Sequence, residues 1–444
     1  MRGQYMILIL LITALVYIGM IVYTSHRIGI TLIGAGLLLI YGAVTNSFNA
    51  TAAFSEFPSE IIILIIVLTL FTSTFEQLGF INYIGYQFLQ LTHKKKVCIM
   101  IFMSLFVYGI SLFMNNLTVV LFFATMALYM IVEYDLPVIP LLVSIVIGSN
   151  IGGAALPWAD TPAVVLTLYS DFNLMDFLGK LFIPCLIYAI GLSLYTYFWY
   201  KRLVPSRRGS PFAEKPKLDW KRLNKFLILF VAYIIGVSVG PFIHISIAYF
   251  SLFFGGILLC LRKKDEMMIL NELPIMDSLV FIITLFLIGS VLQESGILSN
   301  ASQYIIGLTG NNPYWIMLSV LLIAFLTSTL LSAGPAAATL LPICNTLTEL
   351  VPSRLVYAAL ALGILCGSSM LPWSATGGPI LFSRTRSFLD ISLKENTVEA
   401  SPRKREEIKK IFNLTSYLVF SVPFAIGMLL ISGTYLVIYL AVLS

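Results

Sequence analysis

Residues able to do chemistry are concentrated in two stretches, GSNIGGAALPWADTPAVVL (148–166) and GILCGSSMLPWSATGGPIL (363–381), each set in strongly apolar sequence. Asp160 is the only carboxylate in either. An ionisable side chain held at membrane depth is costly and marks an ion or proton path by default. Its plainer role is to cap, with Thr161, a helix beginning at Pro162. The oxygens of Asn115, Asn116, Asn150, Ser332, Ser374 and Thr376 are ligands of the kind a small hard cation takes. Sodium at Asn116, Asn150 and Asp160 is therefore an expectation, although both tip asparagines would serve equally as helix caps. Thr118 and Ser369 complete the expected polar set. Gly152, Gly153, Gly377 and Gly378 are expected to let the backbone unwind and approach closely, with Gly334 at a turn nearby. Trp158 and Trp373 either line a pocket or wedge the two stretches together.

The rest of the chain says where such residues must sit. Of 444 residues, 59% are hydrophobic and 11% charged, against about 25% charged in an ordinary soluble domain. Mean hydropathy is +0.95. A soluble fold could not cover itself from this composition, so the chain is an all-α polytopic membrane protein. The net charge of +6 is loop charge facing a cytoplasm and anionic lipid, and nucleic acid is not an expected partner. Five cysteines at no recurring spacing and three histidines make neither a disulfide framework nor a zinc site. His-Glu-x-x-His is not present, and no enzyme or resident cofactor is expected beyond a bound sodium ion. Residues 6–23 read as a retained helix, because the apolar run is too long for a signal-peptide core.

Uninterrupted apolar spans cover residues 5–23, 28–44, 60–75, 177–200, 226–240, 242–261, 277–292 and 415–442, each near the length that crosses about 30 Å of hydrocarbon. Four other regions are broken by Gly, Pro, Asn and Ser. Two read as re-entrant hairpins, 97–132 turning at Asn115-Asn116 and 315–350 turning at Ser332 to Pro335. Two read as broken helices, 138–169 interrupted at 150–162 and 355–383 interrupted at 367–379. Non-helical backbone is tolerated at this depth only where it faces protein or a wet cavity. The two breaks align at an offset of 215, sharing Leu-Pro-Trp, and the segments upstream align at about 217. This predicts two halves, 1–200 and 226–444, joined by a basic linker at 201–225. An odd number of crossings per half makes them inverted, with both termini outside. Inner segments then hold 24 of the 27 basic residues, as the positive-inside rule requires. Glu76, Glu294 and His244 fall near span ends and read as interfacial.

Helix ends supply the expected mechanism. Each break leaves unpaired N–H and C=O groups with opposite partial charges. Four helix N-termini, near Asn116, Thr161, Pro335 and Pro379, are expected to point into one cavity and hold an anion without arginine. The motifs MNNLTVVLFF (114–123), SNIGGAALPWADTPAVVL (149–166), SAGPAAATLLPI (332–343) and SSMLPWSATGGPI (368–380) resemble the hairpin tips and breaks of the ion transporter superfamily. The similarity is to its divalent-anion/sodium symporter, arsenite-permease and NhaD-type antiporter branches. The sequence departs from them at Asn115 and Ala333, where NhaD-like chains are acidic, and at Ser332-Ala333-Gly334, where the symporters repeat Ser-Asn-Thr. The resemblance implies about ten transmembrane helices, two hairpins and two broken helices, and a homodimer in the cell membrane. It further implies secondary transport of a small carboxylate or oxyanion, coupled to sodium or protons, by an elevator-like or rocking motion. A sodium/proton antiporter hinging on Asp160 and an arsenite permease are the alternatives.

Overall fold

The structure, a computed structural model, describes residues 2–23, 26–55, 59–93, 95–114, 116–203, 218–239, 245–262, 276–375, 377–394 and 410–443. Among these residues all regular structure is helical, since in lipid a helix alone satisfies its own backbone within one segment. The first half runs α1 (Arg2–Val22), α2 (Arg27–Thr45), α3 (Ala50–Ser55), α4 (Ser59–Gln77), α5 (Phe80–Leu91), α6 (Lys96–Ser111), α7 (Asn116–Tyr134), α8 (Val138–Ala155), α9 (Thr161–Tyr169) and α10 (Leu174–Asp176). A π-helical stretch, Phe177–Phe182, then leads into α11 (Ile183–Leu203). The second half runs α12 (Trp220–Val239), α13 (Ile247–Leu261), α14 (Met276–Glu294), α15 (Ile297–Thr309), α16 (Pro313–Leu331), α17 (Ala333–Leu347), α18 (Leu355–Ser368), α19 (Gly377–Lys394) and α20 (Leu414–Leu443). Among the described residues, six segments are long and apolar enough to cross a membrane, and several shorter apolar helices accompany them. The chain is a multi-pass membrane protein.

The two series keep a constant spacing. The starts of α4 and α14, α5 and α15, α6 and α16, α7 and α17, and α8 and α18 fall at 59 and 276, 80 and 297, 96 and 313, 116 and 333, and 138 and 355, always 217 apart. The left-handed turns before α5 and α15 are Gly79 (φ 73°) and Gly296 (φ 77°), also 217 apart. Only glycine occupies that region without strain. Contacts between halves are exchanged in the same way. α2 packs on α14 and α4 on α13, while α7 packs on α19 and α17 on α9.

Within each half, the outgoing hairpin arm packs along the first arm of the broken helix, α6 on α8 and α16 on α18. A glycine pair four residues apart brings the backbones together each time. A Cβ on Gly152 would lie 2.5 Å from the Tyr108 carbonyl oxygen, and one on Gly367 would lie 2.2 Å from that of Phe325. Gly148 and Gly363 approach Ser104 and Leu321 in the same manner. Small residues at such spacing let membrane helices pack by dispersion where water offers no driving force.

This packing corrects the expected unwinding. Asn150, Gly152 and Gly153 lie within α8, which runs on to Ala155, and the first break is confined to 156–160. The second begins only after Ser368. A helical glycine costs about 1 kcal/mol, and here the close approach of a neighbouring helix offsets it. The structure also adds α5 and α15, absent from the expected spans because 12 and 13 residues are too few to cross. They pack laterally, with Phe88 stacked on Phe106 at 4.7 Å between centroids.

Candidate functional site

The first break collects three helix ends: the C-terminus of α8 and the N-termini of α7 and α9. The indole N–H of Trp158 donates to the Leu112 carbonyl at 3.1 Å, tying the break to the hairpin tip. Trp158 thus wedges the two pieces and does not line the cavity. Asp160 caps α9, its Oδ1 accepting from the Thr161 N–H at 2.8 Å. Its Oδ2 accepts from Nδ2 of Asn116 at 2.9 Å.

Asn116, 1% exposed, uses every polar position it has. Its Oδ1 accepts from Ser111 Oγ at 2.7 Å and Ser149 Oγ at 2.6 Å. Its second amide hydrogen reaches Asn150 Oδ1 at 3.4 Å. Asn150 in turn donates from Nδ2 to the Ser368 carbonyl at 3.3 Å, across to the other half. The direction of this chain is forced from its far end. A backbone carbonyl can only accept, so Asn150 must present its nitrogen to Ser368 and its oxygen to Asn116. Asn116 then presents nitrogen to Asn150 and Asp160, the orientation its two serine donors also require.

Asp160, Asn150 and Ser368 line a cavity of about 20 Å³ with Gly153, Ala333 and Ala337, enough for one water or one small ion. A Cβ on Gly153 would meet Asp160 Cβ at 2.8 Å and the Asn116 amide at 3.0 Å, so only glycine fits there. Among the described residues, Asp160 is the one charged residue lining the cavity. No cluster of three His, Cys, Asp or Glu residues occurs among the described residues. A sodium ion here would find the Asp160 carboxylate, whereas the Asn116 oxygen already faces its two serines.

The second break is built differently. Ser332 turns the hairpin in one residue at φ 86°, and its side chain does not cap α17. Gly334 comes against Thr161, with 3.3 Å from its ideal Cβ to Thr161 Cγ2. Gly377 meets Val120 of α7 in the same reciprocal way. Ser374 Oγ folds back on the carbonyls of Gly367 and Ser368, both at 3.1 Å, and closes the end of α18. Ser369 donates to Leu365 within its own helix. Ser332, Gly334, Ser369, Trp373, Ser374, Gly377 and Thr118 are not among the cavity-lining residues. Asn115 and Thr376 lie outside the described residues.

The expected ring of four N-termini is corrected too, because Asp160's own carboxylate occupies the start of α9. Three members of the network, Ser111, Ser149 and Ser368, escaped the sequence reading. Ser111 is one helical turn before the tip, and Ser149 directly precedes Asn150. Serines in apolar helices carry no signal of their own until a buried amide needs donors.

A family model described as citrate transporter (CitMHS) matches residues 8–363 and 274–444. The magnetosome protein MamN of Magnetospirillum gryphiswaldense is 23% identical over 365 residues, 81% of this chain and 83% of that protein. A 46 kDa membrane protein of Mycobacterium leprae is 24% identical over 74% of this chain and 79% of its own length. The crystal structure of the YdaH transporter of Alcanivorax borkumensis superposes with a TM-score of 0.55 at 12% identity, covering 91% of this chain and 89% of that one. It shares the fold.

Proposed function

The chain belongs to the citrate transporter family, and we propose that it is a secondary transporter coupling a small anion, a carboxylate or an inorganic oxyanion, to sodium or protons. The observation that carries this reading is Asp160. It is a carboxylate beside a cavity the size of one ion, linked through Asn116 and Asn150 to the break in the other half. The family supports a carboxylate as substrate, and the uncapped N-terminus of α17 supplies positive partial charge on the side facing Asp160. The coupling ion sits at Asp160. The halves run in opposite directions across the cell membrane with both termini outside, and alternate access by an elevator-like or rocking movement.

The test is uptake by purified protein in liposomes. Citrate, succinate, phosphate and arsenite are offered in turn, with an inward sodium or proton gradient or with none. Gradient-dependent accumulation of one acid or oxyanion supports the proposal, and no accumulation of any of them contradicts it. Among the described residues no basic side chain lines the cavity, which favours one other reading, cation/proton antiport at Asp160. A sodium pulse that alkalinises or acidifies the lumen without any anion would establish that reading instead.

A further inference from the structure

We propose that the apolar pocket between α15, α16 and α17 is a binding site for one acyl chain of a membrane lipid. The site is separate from the cavity at Asp160 and does not depend on the transport reading above. Its volume is about 230 Å³, more than the ~150 Å³ that admits benzene to a protein interior. Among the described residues none lining it is charged, and the only polar side-chain groups are the Tyr304 hydroxyl and the Cys344 thiol. Water needs several polar partners to stay in such a space, so the lining selects hydrocarbon.

The repeat shows why the pocket is there. The residues 217 earlier than Ile305, Val320, Ile323, Leu340 and Ile343 are Phe88, Met103, Phe106, Phe123 and Met126. Every one of the first-half side chains is longer than its mate. They make a solid core, with Phe88 stacked on Phe106 at 4.7 Å and Phe106 edge-on to Phe123 at 5.8 Å between centroids. The packing is so close that a Cβ on Gly85 would lie 2.7 Å from the Met126 sulfur. In the second half the equivalent helices surround shorter side chains, and the pocket is the space left over. Protein interiors pack as densely as organic crystals, and the walls of a void forfeit their dispersion contacts. A hydrocarbon from outside the chain restores them.

The bilayer supplies that hydrocarbon. Val320 and Ile323 lie about 10–15 Å along α16 from the polar turn at 310–312, within the ~15 Å depth of one leaflet. Leu308 of α15 and Trp315, Leu322 and Leu326 of α16 are exposed, which makes these helices part of the lipid-facing surface of a multi-pass protein. Tyr304 is exposed as well and lines the pocket. The pocket is thus continuous with the protein–lipid interface, and a tail enters it sideways without leaving the membrane. Leu341, beside Leu340, lines the cavity at Asp160. The bound chain therefore braces the back of the hairpin arm whose other face meets that cavity.

The experiment places full-length protein in phosphatidylcholine liposomes containing a trace of phosphatidylcholine with a photoactivatable diazirine in one acyl chain. Labelled residues are read by mass spectrometry. Val320 and Cys344, 4% and 1% exposed, are too buried for a lipid that only passes over the surface. They should nevertheless be labelled as strongly as Leu326 and Leu330, which are exposed on α16. Ile323→Phe combined with Leu340→Phe restores the first-half residues and should cut labelling at 320 and 344 at least about fivefold, because the phenyl rings take the space, with 326 and 330 unchanged. In delipidated detergent solution, added phosphatidylcholine should raise the unfolding midpoint of wild-type protein, and that of the double variant by less than about half as much. Labelling at 326 and 330 with none at 320 and 344 in wild-type protein overturns the proposal whether or not the variant folds. Undiminished labelling of 320 and 344 in the folded variant overturns it too. Unlabelled pocket residues together with a disulfide between chains carrying Tyr304→Cys would assign the face to a second copy of the protein instead.

Discussion

Two breaks built on one plan have been given different work. In both halves a glycine pair brings a hairpin arm against the first arm of a broken helix, and a serine one turn before the tip faces that partner. Ser111 and Ser328 are these serines, 217 residues apart and both fully buried. In the first half the residue that opens α7 is Asn116, and Ser111 donates to it. In the second half the same position is Ala333, and Ser328 donates to the Ile364 carbonyl instead. One amide thus separates a break that can organise a carboxylate from one that only closes its own helix ends. The shared plan sets the scaffold, and the polar chemistry sits on one side of it.

The comparison can be broken most severely at Asn116. Asn116→Ala should remove the partner of Asp160 Oδ2 and of the Ser149 hydroxyl and reduce gradient-driven uptake by at least about tenfold, since each buried polar group left unpaired costs ~1–3 kcal/mol. Ala333→Ser at the matched tip should change uptake by less than about twofold, because it adds a hydroxyl without removing a partner. Rates from matched liposome preparations check both. Next come the glycines, where the halves should respond alike. Gly152→Ala and Gly367→Ala each force a methyl into a facing backbone and should cost about 1–3 kcal/mol, read as a lower midpoint of thermal unfolding in detergent. A loss confined to one variant would show that the shared crossing is not shared in energy.

Smaller effects sharpen the contrast. Ser111→Ala should raise the coupling-ion concentration that gives half-maximal uptake severalfold, whereas Ser328→Ala should leave it unchanged and cost only about 1 kcal/mol of stability. Thr118→Val and Ser369→Ala should be the quietest, within ~0.5 kcal/mol in unfolding midpoint and indistinguishable in uptake. Thr118 does not line the cavity, and Ser369 bonds only its own helix.

How far the sequence carries is visible in particular residues. The hairpin and break positions could be read, because Gly, Pro and Asn stand out against apolar sequence and recur at a fixed offset. Asp160 could be read as well, since a lone carboxylate at membrane depth needs an explanation. The extent of unwinding could not, because a glycine that loosens a helix and a glycine that admits a neighbour look the same until the neighbour is placed. Gly152 is the second kind. The amphipathic helices α5 and α15 were too short for a length criterion built on crossing the bilayer. The roles of Ser111 and Ser149 depend on which carbonyls and amides surround them, information held in the packing of α6 on α8 and not in local pattern.

The most direct test of the account compares accumulation, rather than exchange, in wild-type protein and Asp160→Asn. The substituted amide keeps the size of the side chain and removes its charge. Under an imposed sodium or proton gradient, wild-type protein should concentrate the transported acid above the external level. The variant should at most equilibrate it, while still exchanging labelled for unlabelled solute. If Asp160→Asn concentrates the solute as well as wild-type protein does, the coupling ion is not held at the first break.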